Sequence, residues 1–411
     1  MVCVYTFCNH MATLRQTDKF VCNRCHANHH FILAALATLA ATGATFAQSS
    51  VELYGRLDAG YNQTKATLSG GGTSVSAKVT NMVKEDGLST GYLGVRGTED
   101  LGGGMKASFI HEMDLDIHVG ALGTAAGRDS TIGLEGGFGK VRLGRSYTPL
   151  FNVLGASDPF GTTGAGTVNL TPTTNGARVS QAVFYTSPSF SGVTVDVAYA
   201  QNKAKVSAVT DIVGSTDAAA VNLKNTTAGF SIKYANGPLM VGYGYGQDKG
   251  LTNDTAALLL ASPFLSAAQA TAAGTAGAAQ NAKYTGNAFT ATYDFGIAKA
   301  FFGHTTAKHQ NDTTVATYLK ATETNFGVSV PMGEITLLGA IGNNTAQDVE
   351  AGVAGAKAKG TDYALGATYA FSKRTTAYAK TGTFNNYKAT DADGTYSFKT
   401  TRTSVGLRHV F

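Results

Sequence analysis

From about residue 51 to Phe411 the chain alternates apolar and polar side chains in stretches of about ten residues, each followed by a turn or a loop. About sixteen such stretches can be drawn, and a period of two marks a strand with one oily and one wet face. The first sets Leu53, Leu57, Ala59 and Tyr61 against Tyr54, Arg56, Asp58 and Gly60. The last sets Thr403, Val405, Leu407, His409 and Phe411 against Arg402, Ser404, Gly406 and Arg408. Arginines on the inward face cannot form the dry core of a soluble sandwich, because unpaired buried charges cost several kcal/mol each. The apolar face is therefore expected on the outside.

The strands fall near 51–61, 89–97, 104–114, 128–136, 139–146, 177–186, 191–200, 224–234, 237–247, 284–294, 297–306, 319–330, 333–343, 361–371, 373–383 and 400–411. Short connections such as Glu-Asp-Leu-Gly-Gly-Gly (99–104), Gly137-Phe138 and Ser372 alternate with long ones near 62–88, 115–127, 147–176, 201–223, 248–283, 307–318, 344–360 and 384–399. The pattern predicts an all-β, transmembrane, 16-stranded antiparallel β-barrel with short periplasmic turns and long extracellular loops, and an even strand count puts both termini on the periplasmic side. Tyr61, Tyr185, Tyr199, Tyr293 and Tyr369 lie near strand ends, where aromatic girdles sit at the bilayer interface. The Ala/Gly-rich run 256–282 falls in the fifth long loop and is read as surface loop, partly helical or disordered.

Composition changes this picture little. Charged residues make up 14% of the 411 residues, well under the roughly 25% usual for soluble proteins, and the chain holds 50 Gly, 18 Tyr, 21 Phe and no Trp. Beyond the N-terminal region no stretch reaches the 18 or so apolar residues of a membrane helix, so a spanning chain must close as a barrel.

Residues 1–47 read as a leader. His29 and His30 precede an apolar run, FILAALATLAATGATF (31–46), and Thr45-Phe46-Ala47 is an acceptable cleavage site before Gln48. A conventional positive n-region could begin at Met11 with Arg15, Lys19 and Arg24, which leaves residues 1–10 as an over-extended start; 48–411 is then one domain. Cys3, Cys8, Cys22 and Cys25 all lie in the leader, so Cys22-Asn-Arg-Cys25-His26, a match to haem attachment, and the nearby histidines, a match to zinc, belong to a discarded segment. The leader carries three basic residues and one acid, which turns 32 basic and 27 acidic residues into 29 and 26 beyond it, a net +3. That is no nucleic-acid footprint.

Catalytic patterns are nearly absent. His111, His118, His304, His309 and His409 lack H-E-x-x-H spacing. One G-x-S-x-G match, Gly87-Leu-Ser89-Thr-Gly91, leads into a strand and not from a strand into a helix, so it is read as a loop end and not as a nucleophile elbow. No enzyme, cofactor or metal site is assigned. The connection 147–176, with Ser-Asp-Pro-Phe-Gly at 157–161, is the stronger functional candidate. A sixteen-stranded lumen is wide enough for a water channel, and Asp158 on an inward-folded third loop, opposite Arg56 and Arg178, would set a field across a constriction. The alternative leaves the loop outside, with Asp158 only capping a turn.

Six blocks in order carry a resemblance: Ser-Ser-Val-Glu-Leu-Tyr-Gly-Arg-Leu-Asp-Ala-Gly-Tyr (49–61), Gly-Tyr-Leu-Gly-Val-Arg-Gly-Thr-Glu-Asp-Leu-Gly-Gly-Gly (91–104), Gly-Leu-Glu-Gly-Gly-Phe-Gly-Lys-Val-Arg-Leu-Gly-Arg (133–145), Tyr-Thr-Ser-Pro-Ser-Phe-Ser-Gly-Val (185–193), Phe-Ser-Lys-Arg-Thr (371–375) and Gly-Leu-Arg-His-Val-Phe (406–411). From about Gln48 to Phe411 the chain resembles the Gram-negative trimeric general porins of the betaproteobacterial branch. The resemblance implies a homotrimer in the outer membrane, in contact with lipid and lipopolysaccharide, that passes ions and small hydrophilic solutes without a cofactor. It also implies a third loop folded into the lumen. Arg56 and Arg178 fall on the family's basic wall positions and Asp158 on the acidic part of loop three. Tyr92 stands where enteric relatives carry arginine, and Thr131 occupies the fourth-strand position with Arg128 nearby. With one clear acid on the loop, the resemblance implies mild anion preference. Phe411 matches the C-terminal aromatic read by the barrel-insertion machinery. The competing readings are a solute-specific channel, a surface adhesin or antigen acting through its loops, and a membrane enzyme.

Overall fold

A computed structural model of the chain describes residues 50–83, 87–122, 127–161, 177–206, 221–251, 282–310, 318–350, 353–391 and 394–411. The expected leader, with its cysteines, and most of the Ala/Gly-rich run lie outside the described residues. Eighteen strands are present among the described residues. They are β1 (Ser50–Gly70), β2 (Thr73–Val83), β3 (Tyr92–Gly102), β4 (Met105–Asp116), β5 (Ala121–Leu122) and β6 (Ser130–Gly136). Then come β7 (Gly139–Tyr147), β8 (Arg178–Thr186), β9 (Val193–Val206), β10 (Val221–Asn236), β11 (Leu239–Leu251) and β12 (Ala282–Asp294). The last six are β13 (Lys299–Gln310), β14 (Tyr318–Met332), β15 (Ile335–Glu350), β16 (Val353–Ala370), β17 (Thr375–Asp391) and β18 (Gly394–Val410).

All except β2 and β5 form a closed antiparallel wall of sixteen strands. Each pairs with its neighbour in sequence, and β18 returns to β1 with Arg56 opposite Val410 and Ser69 opposite Ser397. The seam continues one residue further: Phe411 N donates to Gly55 O at 3.0 Å and Gly55 N to Phe411 O at 3.1 Å. Closure leaves no edge, which is what a sheet in lipid requires.

The faces follow the alternation. On β1, Val51, Leu53 and Tyr61 are 69%, 63% and 61% exposed, whereas Asp58 and Asn62, of the opposite parity, are buried. On β18, Val405 and Leu407 are exposed and Ser404 is buried. Grease therefore faces outward along both seam strands. Near the short-turn end Tyr293 packs on Phe295 and Tyr369 on Phe371, with ring centroids 4.6 and 5.0 Å apart, and Tyr185 donates to Phe138 O at 2.8 Å. Tyr61, Tyr199, Tyr293 and Tyr369 are all exposed, consistent with an interfacial girdle.

The short turns sit where the glycine runs place them. Gly103 and Gly104 (φ +61° and +80°) join β3 to β4, a left-handed backbone that residues with a Cβ resist. The long connections differ from expectation. Much of 62–88, 344–360 and 384–399, expected as loop, is strand: β1 runs on to Gly70 and folds back as β2, while β15 to β18 pair far past the stretch needed to span lipid. Once a register is fixed, each further pair adds ladder hydrogen bonds without a new closure cost, and threonines such as Thr64, Thr80 and Thr390 suit the extended backbone.

Candidate pore constriction

The described part of the third long connection lies on the inner wall. Tyr147 ends β7, Thr148 caps helix α1 (Pro149–Gly155) by accepting from Phe151 N at 3.2 Å, and Pro149 supplies the preset first turn. The helix buries Leu150, Val153 and Leu154 together with Ala288 of β12. Thr290, which alternates with the outward Phe289, donates to Val153 O at 2.7 Å. Asn325, next to the outward Phe326, donates to Ser157 O at 2.9 Å.

What makes room for this segment is missing side chains on the wall opposite its entry. A Cβ at Gly244 would lie 3.0 Å from Leu150 Cα, one at Gly327 2.7 Å from Pro159 Cδ, and one at Gly366 2.9 Å from Phe160 Cε1. At Gly303 it would fall 2.2 Å from Asn325 Oδ1 and 2.6 Å from Ser157 Oγ. Gly303→Val is therefore expected to lever Ser157 off the wall, costing about 1–3 kcal/mol of packing and giving a lower, more variable single-channel conductance. A wild-type current from that variant would show that the seat does not set the bore.

Asp158 lies three residues before Gly161, where the described stretch ends. Its Oδ1 accepts from Phe160 N at 2.9 Å, and the residue is 6% exposed. The described part of the loop, as far as Gly161, packs on the inward face of the wall, and Asp158 caps a turn within it.

The basic residues gather on the other side of the lumen. Arg56 on β1 donates through Nε and Nη2 to Thr90 O at 3.0 and 2.9 Å. The Tyr92 ring lies between Arg56 and Arg128, with guanidinium carbons 5.0 and 4.8 Å from its centroid. Tyr92 thus offers a surface on which two arginines stack. Arg128 reaches Glu112 Oε2 at 3.3 Å and Asp114 Oδ1 at 3.4 Å, and Glu112 also accepts from Tyr54 at 2.8 Å. Arg178 donates to Asp129 Oδ1 at 2.9 Å and stacks 3.7 Å over Tyr147. Tyr147 in turn stacks on Phe151 of α1 at 4.7 Å, tying Arg178 to the loop. Thr131 is buried and contributes no charge.

Arg145 was not singled out in the sequence, because strict alternation from the outward Leu143 sends it outward too. The pairing of β7 with β8 slips between Gly144 and Ser146, with Gly144 at φ +134° and Gln181 at φ +54°. Past this bulge Arg145 donates to Gly127 O at 2.6 Å and Ser180 Oγ at 2.7 Å, beside Arg178. The glycine before Arg145 was the available signal. Arg56, Arg128, Arg145, Arg178 and Arg408 thus neighbour Asp58, Glu112, Asp114 and Asp129, so this cluster carries one more cation than anion.

The profile of the Gram-negative porin family matches residues 33–389. The chain belongs to this family. It is an outer-membrane β-barrel channel protein. This porin is 31% identical over 408 residues to outer membrane porin protein 32 of Delftia acidovorans, across 92% of this chain and 99% of that one. To an outer membrane porin protein of Bordetella pertussis it is 29% identical over 407 residues, with 92% and 99% covered. Among solved structures, an anion-selective porin from Comamonas acidovorans matches with TM-score 0.59 and 26% identity over 89% of this chain and 100% of that chain.

Proposed function

We propose that the porin is a general diffusion channel with mild preference for anions, narrowed at mid-lumen by its third loop, and that it works as a homotrimer. The observation that carries this reading is the excess of guanidinium groups over carboxylates on the wall facing the loop. An ion crossing a narrow, water-filled gap feels such fixed charge before bulk solvent can screen it. The likeness to a porin named as anion-selective points the same way. Loop three adds little opposing charge, since Asp158 is turned into its own backbone. Arg56, Arg128 and Arg178 are assigned to the constriction as basic wall residues, and Asp158 as the residue that shapes the loop turn. The trimer follows the family resemblance, with the outward apolar band meeting both lipid and neighbouring copies. The short turns face the periplasm and the extended hairpins the exterior. The test is the reversal potential of the wild-type protein in a planar bilayer under a salt gradient. A potential of chloride sign supports the reading, a potassium sign overturns the selectivity, and no unitary current overturns the channel.

A further inference from the structure

The segment Gly87–Gly91, which matches G-x-S-x-G without the context of a nucleophile, enters β3 from inside the barrel. Ser89 donates to Asp58 Oδ2 twice, from N at 2.7 Å and from Oγ at 3.1 Å. Tyr378 donates to the other oxygen, Asp58 Oδ1, at 2.7 Å and accepts from Leu88 N. Lys380 Nζ donates to Gly87 O, and both Arg56 contacts fall on Thr90 O. Four consecutive residues are thus held by side chains projecting inward from β1 and β17, and Asp58, Tyr378 and Lys380 are at most 5% exposed.

Glycines clear the way for this arrangement. The Tyr378 hydroxyl crosses β18 over Gly406, where a Cβ would lie 2.2 Å from it, and a Cβ at Gly87 would lie 2.3 Å from Asp58 Oδ1. Leu88 and Thr90, which alternate with the buried Gly87 and Ser89, keep part of their surface open. The segment also meets loop three. A Cβ at Gly161 would sit 4.0 Å from Leu88 O, and Phe160 packs at Gly366 beside Lys380 Cβ. Lys380 therefore stands where both intruding segments touch the wall.

We propose that Gly87–Gly91 is a second wall of the constriction, continuous with the tip of loop three, and that Asp58 is the positioning residue that keeps it at a fixed depth in the lumen. This rests on the reading that loop three narrows the pore. A purely structural reading needs only that Asp58 be satisfied; the extra pins from Arg56 and Lys380 onto bare carbonyls immobilise the segment itself. Burying charged groups to hold one short stretch is costly unless its position matters.

The test is single-channel recording, with the exclusion limit for neutral polymers, on Asp58→Ala, Tyr378→Phe and Ser89→Ala in the full chain. Asp58→Ala is expected to raise conductance on the order of 1.5-fold with a noisier open level, since current follows the open cross-section of a wet lumen. Tyr378→Phe and Ser89→Ala each remove one hydroxyl and keep their bulk, so they are expected to give smaller rises in the same direction. Should Asp58→Ala fail to insert, those two decide. Wild-type conductance and exclusion limit in the inserted variants, alongside an altered Gly303→Val, would falsify the second wall while leaving loop three in place. Wild-type values in all of them, Gly303→Val included, would remove both.

Discussion

Chloride is expected to lose about fourfold in permeability, and potassium to gain about as much, when Arg178 is replaced by alanine. That factor is the loss of one unit charge about 5 Å from the ion path in a water-like dielectric, about 0.8 kcal/mol. Arg178 is the residue to remove because it joins the basic wall to the loop, stacked on Tyr147, which stacks on Phe151. The loss of Arg178 also leaves Asp129 without that cation, which pushes the balance further toward potassium. The measurement is the reversal potential of wild type and variant in the same gradient at low salt, where screening is weakest. An unchanged potential would take Arg178 out of the ion path, and a shift toward chloride would reverse the sign assigned to the whole cluster.

Deleting Phe411 is expected to remove most of the folded protein from the outer membrane. The last residue contributes both a donor and an acceptor to the seam with Gly55, and its ring lies where a Cβ at Gly55 would be, 2.6 Å from Phe411 Cζ. Each backbone group left open in lipid costs several kcal/mol, and two are opened here. Phe411→Ala keeps the backbone pair and loses only the ring. Comparing the amounts of folded barrel in outer-membrane fractions separates two effects. A defect confined to the deletion places the cost in the seam. A similar defect in both assigns it to the ring, as expected if insertion machinery reads the aromatic side chain. Normal levels of the deletion variant would mean that the seam tolerates an open end.

The strands were legible because lipid outside and water inside impose a period of two over the band that crosses the bilayer. Leu53 and Asp58 declare their faces without any knowledge of partners. Beyond that band both faces are wet, alternation carries no information, and the continuation of β1 to Gly70 or of β17 to Asp391 could not be read. Arg56 was placed inward correctly by parity, but its engagement with Thr90 depends on a segment 34 residues away. Arg145 was hidden by the bulge at Gly144, which breaks the rule used to find its neighbours. The glycines at 244, 303, 327 and 366 are unremarkable in sequence, and their meaning appears only when loop three lies on them.

On the proposed orientation, with the extended hairpins toward the exterior, the β1–β2 hairpin bears on what the cell presents to its surroundings. Twenty-one residues of strand are about 70 Å of chain, against an apolar band of about 25 Å, so much of this ribbon stands clear of the lipid even when tilted. It is stitched on one side to β18 almost to its tip, as far as Ser69, which makes it a buttressed post and not a slack tether. An antibody or phage fibre gripping such a post meets residues at fixed spacing, and shortening its tip by register-matched pairs would erase the epitope while leaving the conduit below intact.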